Sequence, residues 1–151
     1  MGRALELAAE AAADGDIPVG AVVVDATGEI IGEGRNTRER DGDPTGHAEV
    51  VAMRAAAVTK GEWRLTGCTL VVTLEPCPMC AGAVVASRVP RVVLGAWDTK
   101  MGACGSVWDV VRDRRSIHRA EVIGGVREGE AAQLLVDFFG ERREGLGPWA
   151  G

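Results

Sequence analysis

The stretch CTLVVTLEPCPMCAGAVVAS, residues 68–87, changes character at its middle. Residues 68–75 are apolar and rich in β-branched side chains, which suits a short strand buried on both faces. From Pro76 onward small helix formers take over. Prolines at the start fit a first helical turn, where a missing N–H costs nothing. A buried strand running directly into a helix is the building unit of an α/β sheet. The alternation continues on both sides. IPVGAVVVD (17–25) is a buried strand, DATGE (25–29) a turn, and Ile30–Ile31 begin a second strand of a hairpin. After the polar loop NTRERDGDPTG (36–46), HAEVVAMRAAAVTK (47–60) is a helix. RVVLGAW (91–97) is a strand and AEVIGG (120–125) a weaker one. Helices close both ends. Residues 3–13 place Leu5, Ala8, Ala9 and Ala12 at helical spacing, and residues 129–143 gather Leu134, Leu135, Phe138 and Phe139 on an apolar side. The expectation is an α/β fold with a central mixed sheet, in one domain spanning 1–151.

Composition narrows the class. With 46% hydrophobic and 26% charged residues the chain matches an ordinary soluble domain. No apolar run approaches the roughly 18 residues of a membrane span. Glu6, Glu10, Asp14 and Asp16 near the start argue against a signal peptide and for a cytoplasmic protein. There, closely spaced cysteines are reduced and serve metals or catalysis. A net charge of −5 excludes a general nucleic-acid coat, although a local basic patch remains compatible with it.

His47 opens one helix, and Cys77 and Cys80 open the next. Residues three apart share a helix face. The positive end of the helix also favours the thiolate that a metal needs. Three protein ligands leave one tetrahedral position open, the arrangement of a catalytic rather than a structural zinc. Glu49, two residues after His47, either closes the site as a fourth ligand or stands beside the open position and moves protons. The second role makes chemical use of the opening and is preferred. A thioredoxin-like dithiol would explain Cys77 and Cys80 but leaves His47 and Glu49 idle. Cys68 suits a small buried hydrophobe, and Cys104 has no evident role.

HAE at 47–49 and PCPMC at 76–80 carry the signature of the zinc-dependent nucleoside and nucleobase deaminases. More specifically, IPVGAVVV, GEGRN, DPTGHAEVVAMR, TLEPCPMCAGA, GAWDTKMGACGS and LLVDFFGERR resemble, in order, the bacterial tRNA-specific adenosine deaminases, the TadA family. The resemblance implies a three-layer α/β/α cytidine-deaminase-like sandwich with a five-stranded mixed central sheet. It implies one Zn2+ per subunit and a homodimer that binds a tRNA anticodon stem-loop across both subunits. The implied reaction converts the wobble adenosine to inosine and releases ammonia.

By the same resemblance His47, Cys77 and Cys80 are the zinc ligands and Glu49 the proton carrier. Asn36 contacts the flipped nucleoside, Asp98 lies near the sugar of a neighbouring nucleotide, and Arg142 and Arg143 face tRNA. Each of these last four has a plainer use: Asn36 ends a strand, Asp98 caps a turn, and two arginines solvate a helix end.

Gly46 replaces the alanine common in TAHAE and is expected to add backbone freedom beside a ligand. Trp97 stands where a basic residue can occur, to stack on a base or simply to pack. Two rivals remain: a small-molecule deaminase of guanine or cytosine type on the same fold, and a non-enzymatic zinc-binding module, against which Glu49 speaks.

Overall fold

Glycine and alanine decide how the layers meet. The computed structural model describes residues 1–145. In chain order the elements are α1 (Gly2–Ala13), β1 (Gly20–Val24), β2 (Ile30–Arg35), α2 (Arg38–Asp41), α3 (Ala48–Lys60), β3 (Thr69–Leu74), α4 (Pro78–Ala86), β4 (Arg91–Ala96), β5 (Glu121–Ile123) and α5 (Glu128–Gly145). The five strands form one sheet in the order β2-β1-β3-β4-β5. β1 runs antiparallel to β2 and to β3, while β3, β4 and β5 run parallel. Hence β2, β3 and β4 all end at the same edge of the sheet, and the loops that follow them meet there. That edge is where α/β proteins bind ligands.

α3 lies over β2 and β1 with α4 beside it, and α1 and α5 cover the opposite face, giving the expected three layers. Strand alternation sorts the core. Ala21 and Val23, Leu70 and Val72, and Val92 and Leu94 point toward α3 and α4 and join the main hydrophobic cluster. Val22 and Val71 point the other way, toward Leu7 of α1. Leu5, Ala96 and Ala131 form a third, small cluster under α5.

α3 presents Ala48, Ala52 and Ala56, a small-residue stripe four apart, to Gly32 and Gly34 of β2. A Cβ on either glycine would overlap helix backbone atoms, at Ala52 and Ala56 or at Ala48 and Ala52. Backbone thus sits on backbone, and α3 has a single seat. Gly20 of β1 serves α1 in the same way, against Ala4 and Ala8.

That contact corrects the expected inner face of α1. The buried residues are Ala4, Leu5, Leu7, Ala8 and Ala11, with Ala9 exposed and Ala12 half-buried. The helix is rotated so that Ala4 and Ala8 face the bare strand. α5 also differs from expectation. Phe138 is only 7% exposed, but Phe139 is 43% exposed and meets Phe138 edge-on instead of anchoring the helix. Among the described residues no helix is long and apolar enough to cross a membrane.

Candidate metal centre and substrate pocket

His47 occupies the N-cap position of α3 and Cys77 that of α4, both in extended backbone, with Pro78 directly inside α4. Cys80 follows one turn later and is buried. His47 Nδ1 lies 3.6 Å from Cys77 Sγ and 3.4 Å from Cys80 Sγ. The three donor atoms fall within 4.8 Å of one another. Zinc bonds of about 2.3 Å to sulfur and about 2.0–2.1 Å to nitrogen, at a tetrahedral angle, separate N from S by roughly 3.5 Å. The spacing therefore fits one zinc ion. The two helix N-termini aim at the same point, which favours the anionic ligands.

The protonation pattern matches. The hydrogen bond from the Cys80 thiol holds the Cys77 thiol down to about 4, and the same bond pushes Cys80 up. The hydrogen bond with Cys77 raises His47. An ion that takes all three must displace protons, so its affinity falls with acid.

Glu49, the second residue of α3, is 4% exposed, and burial pushes its carboxyl above the ordinary range. It is outside the three-donor group. It lines a cavity of about 290 Å³ together with His47 and Cys77. Asn36 enters this cavity from the loop after β2 and Arg38 from the first position of α2, Asp98 and Met101 from the loop after β4. The side chain of Asn36 is fixed on both ends: Nδ2 donates to the Ile17 carbonyl at 3.3 Å, and Oδ1 accepts from Arg38 N–H at 3.1 Å. It does end a strand, as its plainer use suggested, and it lines the pocket as well. Asp98 likewise does both, since Oδ1 accepts from the N–H groups of Lys100 and Met101 at 3.0 and 3.1 Å.

Arg142 and Arg143 do not line this cavity. Arg142 lies over the Phe138 ring, 4.6 Å from its centroid, and donates to the Gly15 carbonyl at 2.7 Å. It ties the end of α5 to the segment that leads into Ile17, while Arg143 stays exposed. Trp97 is 40% exposed and packs over Gly124, where a Cβ would overlap its ring. It too is absent from the cavity lining. Gly46 supplies room more than freedom: a Cβ there would stand 2.9 Å from Thr37 Oγ1 and 3.2 Å from Asp43 Cβ, against the residues that flank α2. Cys68 is buried, as expected, and so is Cys104.

Two buried carboxylates were not anticipated, Asp16 outside the pocket lining and Glu75 within it. Asp16, fully buried, accepts from the N–H groups of Glu39 at 2.7 Å and Arg40 at 3.1 Å. Glu75, 2% exposed, accepts from three N–H groups in the loop after β4. Their sequence signal is an acidic residue at the mouth of an apolar strand, in GDIPVG and TLEPC. Such a residue needs partners once the strand is buried.

Comparison with known proteins completes the picture. Residues 1–96 match the model of the cytidine and deoxycytidylate deaminase zinc-binding region. The chain is 51% identical over 144 residues to a tRNA-specific adenosine deaminase of Haemophilus influenzae, covering 95% of this chain and 83% of that protein. It is 54% identical over 143 residues to a protein of Deinococcus radiodurans named tRNA(Ile)-lysidine synthase. There the match covers 95% of this chain but only 24% of that much longer protein. A solved structure from biochemical and structural studies of A-to-I editing by tRNA:A34 deaminases at the wobble position superimposes with a TM-score of 0.84. It is 38% identical, and the match covers 87% of this chain and 95% of that one.

Proposed function

The chain belongs to the cytidine and deoxycytidylate deaminase zinc-binding family, and from that premise we propose that it deaminates the wobble adenosine of a tRNA anticodon to inosine. The observation that carries the reading is the cavity itself. It joins a zinc-spaced His–Cys–Cys set, a buried carboxylate outside that set, and fixed polar side chains on two separate loops. At about 290 Å³ it admits a single base, so the target nucleotide has to leave its stack to enter.

His47, Cys77 and Cys80 hold the ion. Zinc bound there supplies the Lewis acidity that makes water nucleophilic near neutral pH. Glu49 takes a proton from the attacking water and passes one to N1 of the purine. It then delivers the second to the departing amino group, so that the C6–O bond forms, the C6–N bond breaks and ammonia leaves. Its burial keeps bulk water from competing for that proton. Asn36 offers the remaining N–H of its amide to the base, and Asp98 holds the neighbouring sugar. A homodimer in the cytoplasm, with tRNA lying across both subunits, completes the proposal.

Inosine formation on a tRNA transcript with an intact anticodon stem-loop tests it, with free adenosine, cytidine and guanine as competitors. Inosine at the wobble position is expected. Turnover of free guanine or cytidine with the tRNA untouched would assign the same site to a small-molecule deaminase.

A further inference from the structure

We propose that Glu75, which lines the pocket but which the mechanism does not use, is a positioning residue: it holds the wall that presents Asp98 to the substrate. The proposal rests on the deaminase reading and adds to it a determinant of substrate affinity.

Residues 98–106 have no regular secondary structure beyond turns and one isolated bridge residue, yet they form one side of the cavity. Their backbone is organised around a single carboxylate. Glu75 Oε1 accepts from Asp98 N–H at 3.0 Å, and Oε2 accepts from Cys104 N–H at 3.0 Å and Ser106 N–H at 3.1 Å. Gly102 lies so close that a Cβ there would overlap the carboxylate. The loop then closes on itself. Gly102 N–H donates to the Asp98 carbonyl at 2.9 Å and Ser106 Oγ to the same oxygen at 2.6 Å. Ala103 N–H donates to the Pro76 carbonyl at 2.8 Å, which docks the loop onto the strand–helix junction carrying Cys77.

Charge explains the choice of residue. Three N–H donors converge on two oxygens, a demand that an ionised carboxylate meets and a carboxamide cannot. A glutamine would turn an N–H2 group toward either Asp98 or the Cys104–Ser106 pair, leaving a buried donor facing a donor. Oε1 has one donor and Oε2 two, so the N–H2 group loses least when it faces Asp98, and the peptide N–H that moves is that of Asp98. Its side chain has one oxygen committed to the turn at Lys100 and Met101 and the other, Oδ2, without a partner among the described residues. Although Glu75 lines the pocket, both of its oxygens are taken by loop N–H groups, so it acts on substrate through the placement of Asp98.

The test measures zinc content, kcat and KM on an anticodon stem-loop RNA for wild type, Glu75→Gln, Gly102→Ala, Asp98→Ala and the Glu75→Gln/Asp98→Ala double variant. Glu75→Gln is expected to keep one zinc per chain and hold kcat within about twofold while raising KM by about tenfold or more, the scale of one lost charge-assisted hydrogen bond. In the Asp98→Ala background the same change should add little, because the two act as a unit. Gly102→Ala, which crowds the carboxylate from the loop side, should show the same split even if Glu75→Gln fails to fold. An unchanged KM in both variants, an additive double variant, or a fall in kcat together with loss of zinc would each overturn the proposal. Wild type that forms no inosine would instead remove the deaminase reading on which it stands.

Discussion

The two faces of the sheet are built to different tolerances. Beneath α3 and α4 one continuous core runs from Val19 to Ala120, and α3 rests on the bare backbone of Gly32 and Gly34. Beneath α1 and α5 the apolar contacts divide into two small clusters. α5 there leaves Val136 and Phe139 exposed, while Arg142 ties its end to Gly15. His47, Glu49, Cys77 and Cys80 all belong to the tight face. Proton transfer and metal ligation fail over fractions of an ångström, whereas an exposed surface tolerates side chains that adjust. The contrast teaches that the chemistry stands where the packing allows one arrangement.

Variants on each face can break this contrast or sharpen it. Cys80→Ala should have the largest effect. It removes a buried ligand, so zinc per chain falls toward zero by metal analysis, activity goes with it, and thermal stability drops because metal binding contributes to folding. Full activity in a zinc-free preparation would break the comparison at its centre. Glu49→Ala comes next: deamination should fall by at least about 10²-fold while zinc and tRNA binding persist. Zinc lost along with activity would make Glu49 a ligand. Gly34→Ala drives a Cβ into the α3 backbone and should cost about 1–3 kcal/mol in denaturant unfolding, with reduced activity through displaced His47 and Glu49. Wild-type stability there would show that α3 has more than one seat.

On the loose face the effects shrink. Arg143→Ala should leave stability and zinc unchanged and flatten the salt dependence of tRNA binding by about one unit in a titration over salt concentration. An unchanged slope would place the RNA footprint elsewhere. Phe139→Ala should alter unfolding free energy by about 0.5 kcal/mol or less, the usual size for a surface change. A loss as large as that of Gly34→Ala would erase the difference between the faces.

What was legible in the sequence follows the same division. His47, Glu49, Cys77 and Cys80 lie in two short motifs at helix starts, so residue type and spacing alone bring them together. The strands announced themselves through β-branched runs. Phe139 was misplaced because helical periodicity says which side is apolar but not how deep the helix sits. Gly46 and the true inner face of α1 depend on how closely another backbone approaches, which neither residue shows on its own. The clamps at Asp16 and Glu75 involve partners 23 to 31 residues away, and the bond from Arg142 to Gly15 spans 127. No local pattern encodes such pairings.

The glycine seat under α3 also shapes how this protein can vary over time. A leucine-on-leucine contact can drift through isoleucine, methionine or valine in small steps, each offset by a neighbour. At positions 32 and 34 every substitution adds at least a Cβ where the helix backbone already lies. There is no gradual route and no conservative exchange. Exposed positions of α5 such as Val136 and Phe139 can change in small steps, but the floor beneath α3 has to be inherited intact or replaced together with the helix.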